Sequence, residues 1–122
     1  MGYYTYHTMS AKGKTLTPEV VDEINKWLEE RQVIGYALRK GGWDVYPDPD
    51  MMYAEWESNG EAKWYEHDED MEALSKAFPD ITFYLHGDGE EKHDEWDEYW
   101  LNGDCERCVV EVHMPEPTRI KW

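Results

Sequence analysis

Apolar positions change period several times along this chain, and each change predicts an element. Tyr3 to Thr8 is rich in strand-forming residues and predicts a first strand, with Ser10-Ala11-Lys12-Gly13-Lys14 as the turn after it. Thr17 followed by Pro18 predicts a helix start, the threonine oxygen capping and the proline in the first turn. Val20, Ile24, Trp27 and Leu28 then recur at helical spacing, so a helix over Pro18–Gln32 follows, with Glu19, Asp22 and Glu23 on the favourable side of its dipole. Residues 36–50 are punctuated by Gly41-Gly42 and by Pro47-Asp48-Pro49-Asp50 and predict no long element. Met52 to Glu57 and Glu61 to Tyr65 predict two strands joined at Asn59-Gly60.

A second helix is expected over Asp68–Phe78, acidic at its start, with Met71, Leu74 and Phe78 on one face and Pro79 stopping it. Ile81, Phe83 and Leu85 alternate with polar neighbours as a strand that Gly87-Asp88-Gly89 should end. A last hairpin is expected from Trp96 to Leu101 and Cys105 to Met114, turning at Asn102-Gly103. The order β-α-β-β-α-β plus a C-terminal β-hairpin predicts an α+β fold: a ferredoxin-like split βαβ antiparallel sheet with two helices on one face. Residues 1–122 read as a single acidic domain. A sheet covered on one side leaves tyrosines and tryptophans on the other, a candidate contact surface.

Charge sharpens this picture. The chain of 122 residues has a net charge of −16 with aromatics at 15%, so it carries enough bulky side chains to fold despite its acidity. Residues 1–43 hold six Lys/Arg against five Asp/Glu; residues 44–106 hold three against twenty-one. Such a field repels nucleic acid and lipid phosphates and attracts basic surfaces, so direct nucleic-acid and membrane binding are disfavoured. The chain lacks an apolar run of membrane-spanning length, and its start has no basic segment leading into an apolar one, so a cytoplasmic protein is expected.

Catalytic signals are sparse. Cys105 and Cys108 form one C-x-x-C with no second pair, and in a strand they face opposite ways; a structural role is expected. His86 to Asp94 is dense in potential ligands, but its glycines suit a solvated turn, and neither metal nor cofactor is expected. Asp48, Glu61 and Lys63 spell a nuclease-like PD and E-x-K pattern, which makes a small metal-dependent enzyme the alternative reading, although an acidic chain meets so short a pattern by chance. No nucleophile elbow or nucleotide-binding glycine pattern occurs.

Lys63-Trp64-Tyr65, Asp70-Met71, Leu74-Ser75, Phe78-Pro79-Asp80, Gly87-Asp88-Gly89-Glu90-Glu91 and Asp94-Glu95-Trp96 through Asn102-Gly103 together resemble a pattern found in small uncharacterised phage and mobile-element proteins with ferredoxin-like domains. The resemblance covers residues 63–103 and implies a phage or mobile-element origin, and with it a role in binding host proteins. The expected function is that of a non-enzymatic inhibitor of a host nucleic-acid-handling defence protein, anti-CRISPR-like or directed at a restriction enzyme, acting through an acidic surface that mimics nucleic acid. Its expected partner-binding residues are Glu55, Glu57, Glu61, Glu66, Glu90, Glu91, Asp94, Glu95, Asp97 and Glu98, with Trp96 and Trp100 as apolar anchors. The rival within the same class is an accessory phage protein whose acidity serves solubility alone.

Overall fold

The computed structural model of the chain describes residues 5–34, 38, 39, 42–45, 52–57, 64, 66–89, 95–109, 119 and 120. Eight elements follow in order: β1 (Thr5–Lys12), α1 (Pro18–Glu30), β2 (Gly42–Val45), β3 (Met52–Glu57), α2 (His67–Ala77), β4 (Thr82–Gly89), β5 (Glu95–Leu101) and β6 (Asp104–Val109). The strands form one six-stranded antiparallel sheet in the order β2-β3-β1-β4-β5-β6. The fold is α+β, and this order is compatible with a ferredoxin-like sheet lengthened at the β4 edge by the β5-β6 hairpin.

Capping and periodicity place α1, and periodicity with an acidic first turn places α2. Thr17 Oγ1 accepts a hydrogen bond from Val20 N at 3.2 Å, and α1 buries Val21, Ile24, Asn25 and Leu28. Gln32 takes a positive φ of 64°, which ends that turn of chain. In α2 the buried face is Asp70, Met71, Leu74 and Ser75. Both apolar stripes join one core with Met9 and Ala11 of β1, Ala54 and Trp56 of β3, Phe83 and Leu85 of β4, and Trp96 and Trp100 of β5. These strand residues are aligned across the sheet, so both helices cover the same face. Trp56 also donates its indole N–H to Asn25 Oδ1 at 2.7 Å, a buried polar contact fixing α1 against the sheet.

Several boundaries differ from the expectation, each for a packing reason. β1 runs through Ser10, Ala11 and Lys12 instead of turning there, because Ala11 supplies a small core position opposite Ala54 and Phe83. Residues 36–50 contain a short strand after all: β3 pairs with β2, with Trp43 opposite Ala54, and the expected strand at Glu61 to Tyr65 lies, except for Trp64, outside the described residues. The expected turn at Asn59-Gly60 lies outside the described residues, and Trp64 is in no strand. The hairpin at Asn102-Gly103 forms as expected, with φ of 47° and 82°.

β4 continues to Gly89 instead of stopping at Gly87. Gly87 lies opposite Trp96, and a Cβ there would overlap the Trp96 indole. The glycine makes room for a ring; it does not make a turn. Gly87→Ala should therefore destabilise the protein by about 1–3 kcal/mol, the usual cost of overpacking. Chemical denaturation of Gly87→Ala, Trp96→Leu and the double variant checks this: the cost of the alanine should shrink when the ring is gone.

Candidate functional site

The sheet presents two chemically different faces. On the helix-free face, Tyr6, Thr8, Ser10 and Lys12 of β1 align with Tyr53, Glu55 and Glu57 of β3 and with Thr82, Tyr84, His86 and Asp88 of β4. β5 adds Glu95, Asp97, Tyr99 and Leu101. Tyr6 is 51% exposed, and Glu57, Asp88 and Glu95 are exposed around it. Lys12 is the one Lys or Arg that the described strand residues place on this face, and Arg119 lies over its β6 end, paired with Asp104.

Hydrogen bonds between side chains hold the tyrosines of this face in place. Tyr53 donates its hydroxyl to Glu55 at 2.6 Å and also meets Ser10 Oγ at 2.9 Å. Asp97 accepts from the Tyr84 hydroxyl at 2.8 Å and lies 2.6 Å from His86 Nδ1. The Asp97 hydrogen bond and charge, acting against burial, raise the His86 pKa above its ordinary value. Burial first, then Asp97, pushes the Tyr84 hydroxyl up, so it stays a donor. At the β6 end, Ile120 packs on Tyr99 and Cys108, and Glu106 accepts from the backbone of Arg119 and Ile120.

The helix-covered face holds a buried polar cluster beneath the start of α2. Glu98 is 1% exposed. Its Oε1 accepts from Trp100 Nε1 at 3.1 Å, and its Oε2 lies 3.2 Å from His67 Nε2 and 3.3 Å from Arg107. His67 stacks on Trp96 at 5.0 Å between ring centroids, with Arg107 over the same indole at 4.9 Å. Burial opposes the charge on His67, but Glu98 and Asp68 outweigh it and raise its pKa. His7 meets Trp64 and Trp96 edge-on, and burial, reinforced by His67, lowers its pKa to about 4. Asp70, also buried, accepts from Trp64 Nε1 at 2.8 Å and from Arg31 at 2.6 Å.

The expected partner-binding residues therefore separate. Glu55, Glu57 and Glu95 share the open face, whereas Glu66 is exposed at the start of α2. Asp97 and Glu98, expected as surface charges, are both buried and on opposite faces, each engaged by neighbouring donors. Trp96 and Trp100, expected as anchors, are core residues on the helix-covered side. Strand alternation sent successive residues of β5 to opposite faces, and the helices sealed one of them. Glu61, Glu90, Glu91 and Asp94 lie outside the described residues, as do Asp48 and Lys63 of the nuclease-like pattern.

Cys105 and Cys108 face opposite sides of β6, as strand geometry requires, and both are free thiols. Burial, with Glu98 and Asp68 nearby, pushes Cys105 up to about 12, and burial raises Cys108 too, so neither is a ready nucleophile. The glycine-rich ligand loop expected from His86 begins as strand, its residues 90–94 lie outside the described residues, and among the described residues the group of possible ligands that the structure gathers is His67, Asp68 and Glu98. Those three were not singled out together because 31 positions separate His67 from Glu98. No helix among the described residues is long and apolar enough to cross a membrane. Comparison with protein-family models, with curated proteins and with solved structures gives no match.

Proposed function

We propose that this chain is a non-enzymatic binding protein that covers a basic surface of a partner protein with the helix-free face of its sheet. The observation that carries the reading is the composition of that face: exposed Tyr6 with Glu57, Asp88 and Glu95 around it, and Lys12 as the lone Lys/Arg among its described strand residues, with Arg119 at the β6 end already paired with Asp104. Tyrosines bring large contact area at low entropic cost, and carboxylates bring attraction to Lys and Arg. The scaffold is a ferredoxin-like split βαβ frame in which each crossover, β1-α1-β2 and β3-α2-β4, steps over one antiparallel strand. The open side of such a frame carries no helix among the described residues, and Ile120 packs at its β6 end.

The partner is a nucleic-acid-handling host defence protein, a restriction enzyme or CRISPR effector, whose Lys/Arg-lined channel would otherwise hold DNA or RNA. Carboxylates two positions apart on one strand, as Glu55 and Glu57 are, form a row roughly 7 Å apart that offers such a channel repeated negative charge. The acidic half and the resemblance to phage and mobile-element proteins support this assignment.

Competition with labelled DNA on such a partner tests it. Glu55→Lys, Glu57→Lys and Glu95→Lys together should weaken inhibition by roughly tenfold or more, since each reversal turns an attraction of a few tenths of a kcal/mol to about 1 kcal/mol into repulsion. Inhibition should also fall steeply with salt. The paired control, Glu29→Lys with Glu30→Lys on the outer side of α1, should change little. Equal effects from the two sets would sink the proposal.

A further inference from the structure

We infer that His67, Asp68 and Glu98 form a binding site for a first-row divalent cation of the Zn²⁺ type. One ligand atom from each lies within 4.8 Å of the other two. His67 Nε2 is 3.0 Å from Asp68 Oδ1 and 3.2 Å from Glu98 Oε2. Donors held at the usual Zn–N and Zn–O lengths around a tetrahedral ion lie about 3.3–3.6 Å apart, so small side-chain shifts complete the set. Two carboxylates neutralise the ion, and the imidazole favours a transition metal over Mg²⁺ or Ca²⁺, which prefer oxygen alone.

Contacts around the three ligands hold them in place. His67 Nδ1 lies 3.3 Å from the Trp64 carbonyl, which can only accept, so Nδ1 keeps its hydrogen and an arriving ion needs to displace only the proton on the Nε2 that faces the two carboxylates. Glu98 Oε1 is held by the Trp100 indole N–H, which aims Oε2 at His67. An imidazole fixed by a carbonyl and a carboxylate fixed by its other oxygen are the outer contacts that orient metal ligands. Asp68 is 68% exposed, which opens a path for entry and leaves a coordination position to solvent. The acidic half of the chain raises the local cation concentration.

Arg107 is the built-in competitor. Its guanidinium lies 3.3 Å from the same Glu98 oxygen, and being 47% exposed it can swing into water when an ion arrives. This gives the site an unusual signature: loss of a nearby positive side chain tightens it, and loss of an exposed carboxylate weakens it.

Calorimetric titration of the chelator-treated full chain with Zn²⁺, and separately with Mg²⁺, tests the inference. One saturable Zn²⁺ site is expected, with Mg²⁺ at least roughly tenfold weaker, in line with the ligand set. Asp68→Asn should weaken Zn²⁺ binding by roughly tenfold or more, Arg107→Ala should strengthen it, and His67→Gln should abolish it. Asp68 is a surface residue, so its variant stays informative even if His67→Gln fails to fold. No saturable binding, Zn²⁺ binding undiminished in Asp68→Asn, weaker binding in Arg107→Ala, or equal affinity for Mg²⁺ would each overturn the site.

Discussion

Glu98→Ala is expected to remove about 3–5 kcal/mol of folding stability, the usual cost of deleting one partner from a buried ionic cluster. The carboxylate is 1% exposed and is shared by Trp100, His67 and Arg107, so it ties the start of α2 to β5 and β6 at once. Its loss leaves the Trp100 indole N–H buried with no acceptor and the His67 charge without its closest counter-ion. Arg107 softens the blow because it is half-exposed and rehydrates. Domains of this size hold about 5–15 kcal/mol in total, so the variant should be mostly folded yet visibly weakened. Urea denaturation with a chelator present reads this directly. Glu98→Gln, which keeps the shape and one acceptor oxygen, should lose less. A cost below about 1 kcal/mol for Glu98→Ala would mean that the cluster does not anchor α2.

Acid should cost the fold about 3 kcal/mol through His7 alone. Burial, with His67 beside it, holds this imidazole at a pKa of about 4 against an ordinary 6.5, so the unfolded chain takes up the proton first. The contribution is fully present above pH 6.5, is lost as the pH falls towards 4, and changes little below that. Converted at 1.36 kcal/mol per unit, the difference gives the magnitude stated. His67 and His86 act in the opposite direction: their raised pKa values add stability below pH 6.5 that fades as the pH rises through their folded values. The measurement that separates His7 is therefore a difference. Stability of wild type minus His7→Phe, followed from pH 7 to pH 4 in chelator, should fall by about 3 kcal/mol. A flat difference would show that His7 is not held neutral by its surroundings.

Local signals explain why part of the candidate site was legible before the fold was known. Glu55, Glu57 and Glu95 fall on the open face because alternation in a strand needs no tertiary information once one face is known to be buried, whereas Tyr6 was not among the expected residues. Which face that would be depends on neighbours. Trp96-Asp97-Glu98-Tyr99-Trp100 reads as an acidic aromatic run, and composition alone makes all five surface candidates. The structure buries every one of them: Asp97 and Tyr99 sink among the side chains of the open face, and Glu98 and the tryptophans lie beneath α2. A fully buried glutamate is rare enough that no local rule would choose it, and only the convergence of His67, Arg107 and Trp100 makes it tolerable.

Capping, periodicity and turn chemistry along the chain determined both helices, the Asn102-Gly103 hairpin, the opposite facing of Cys105 and Cys108, and the concentration of acid in residues 44–106. These are short-range properties, fixed by residues within a few positions of one another. Tertiary structure decided that β2 pairs with β3, that Gly87 serves the Trp96 ring, and that His67, Asp68 and Glu98 meet. Each of those joins residues distant in sequence or depends on the space left by a neighbour's side chain. Contacts of that kind are set by sheet register and close packing of the whole core, which no stretch of sequence contains by itself.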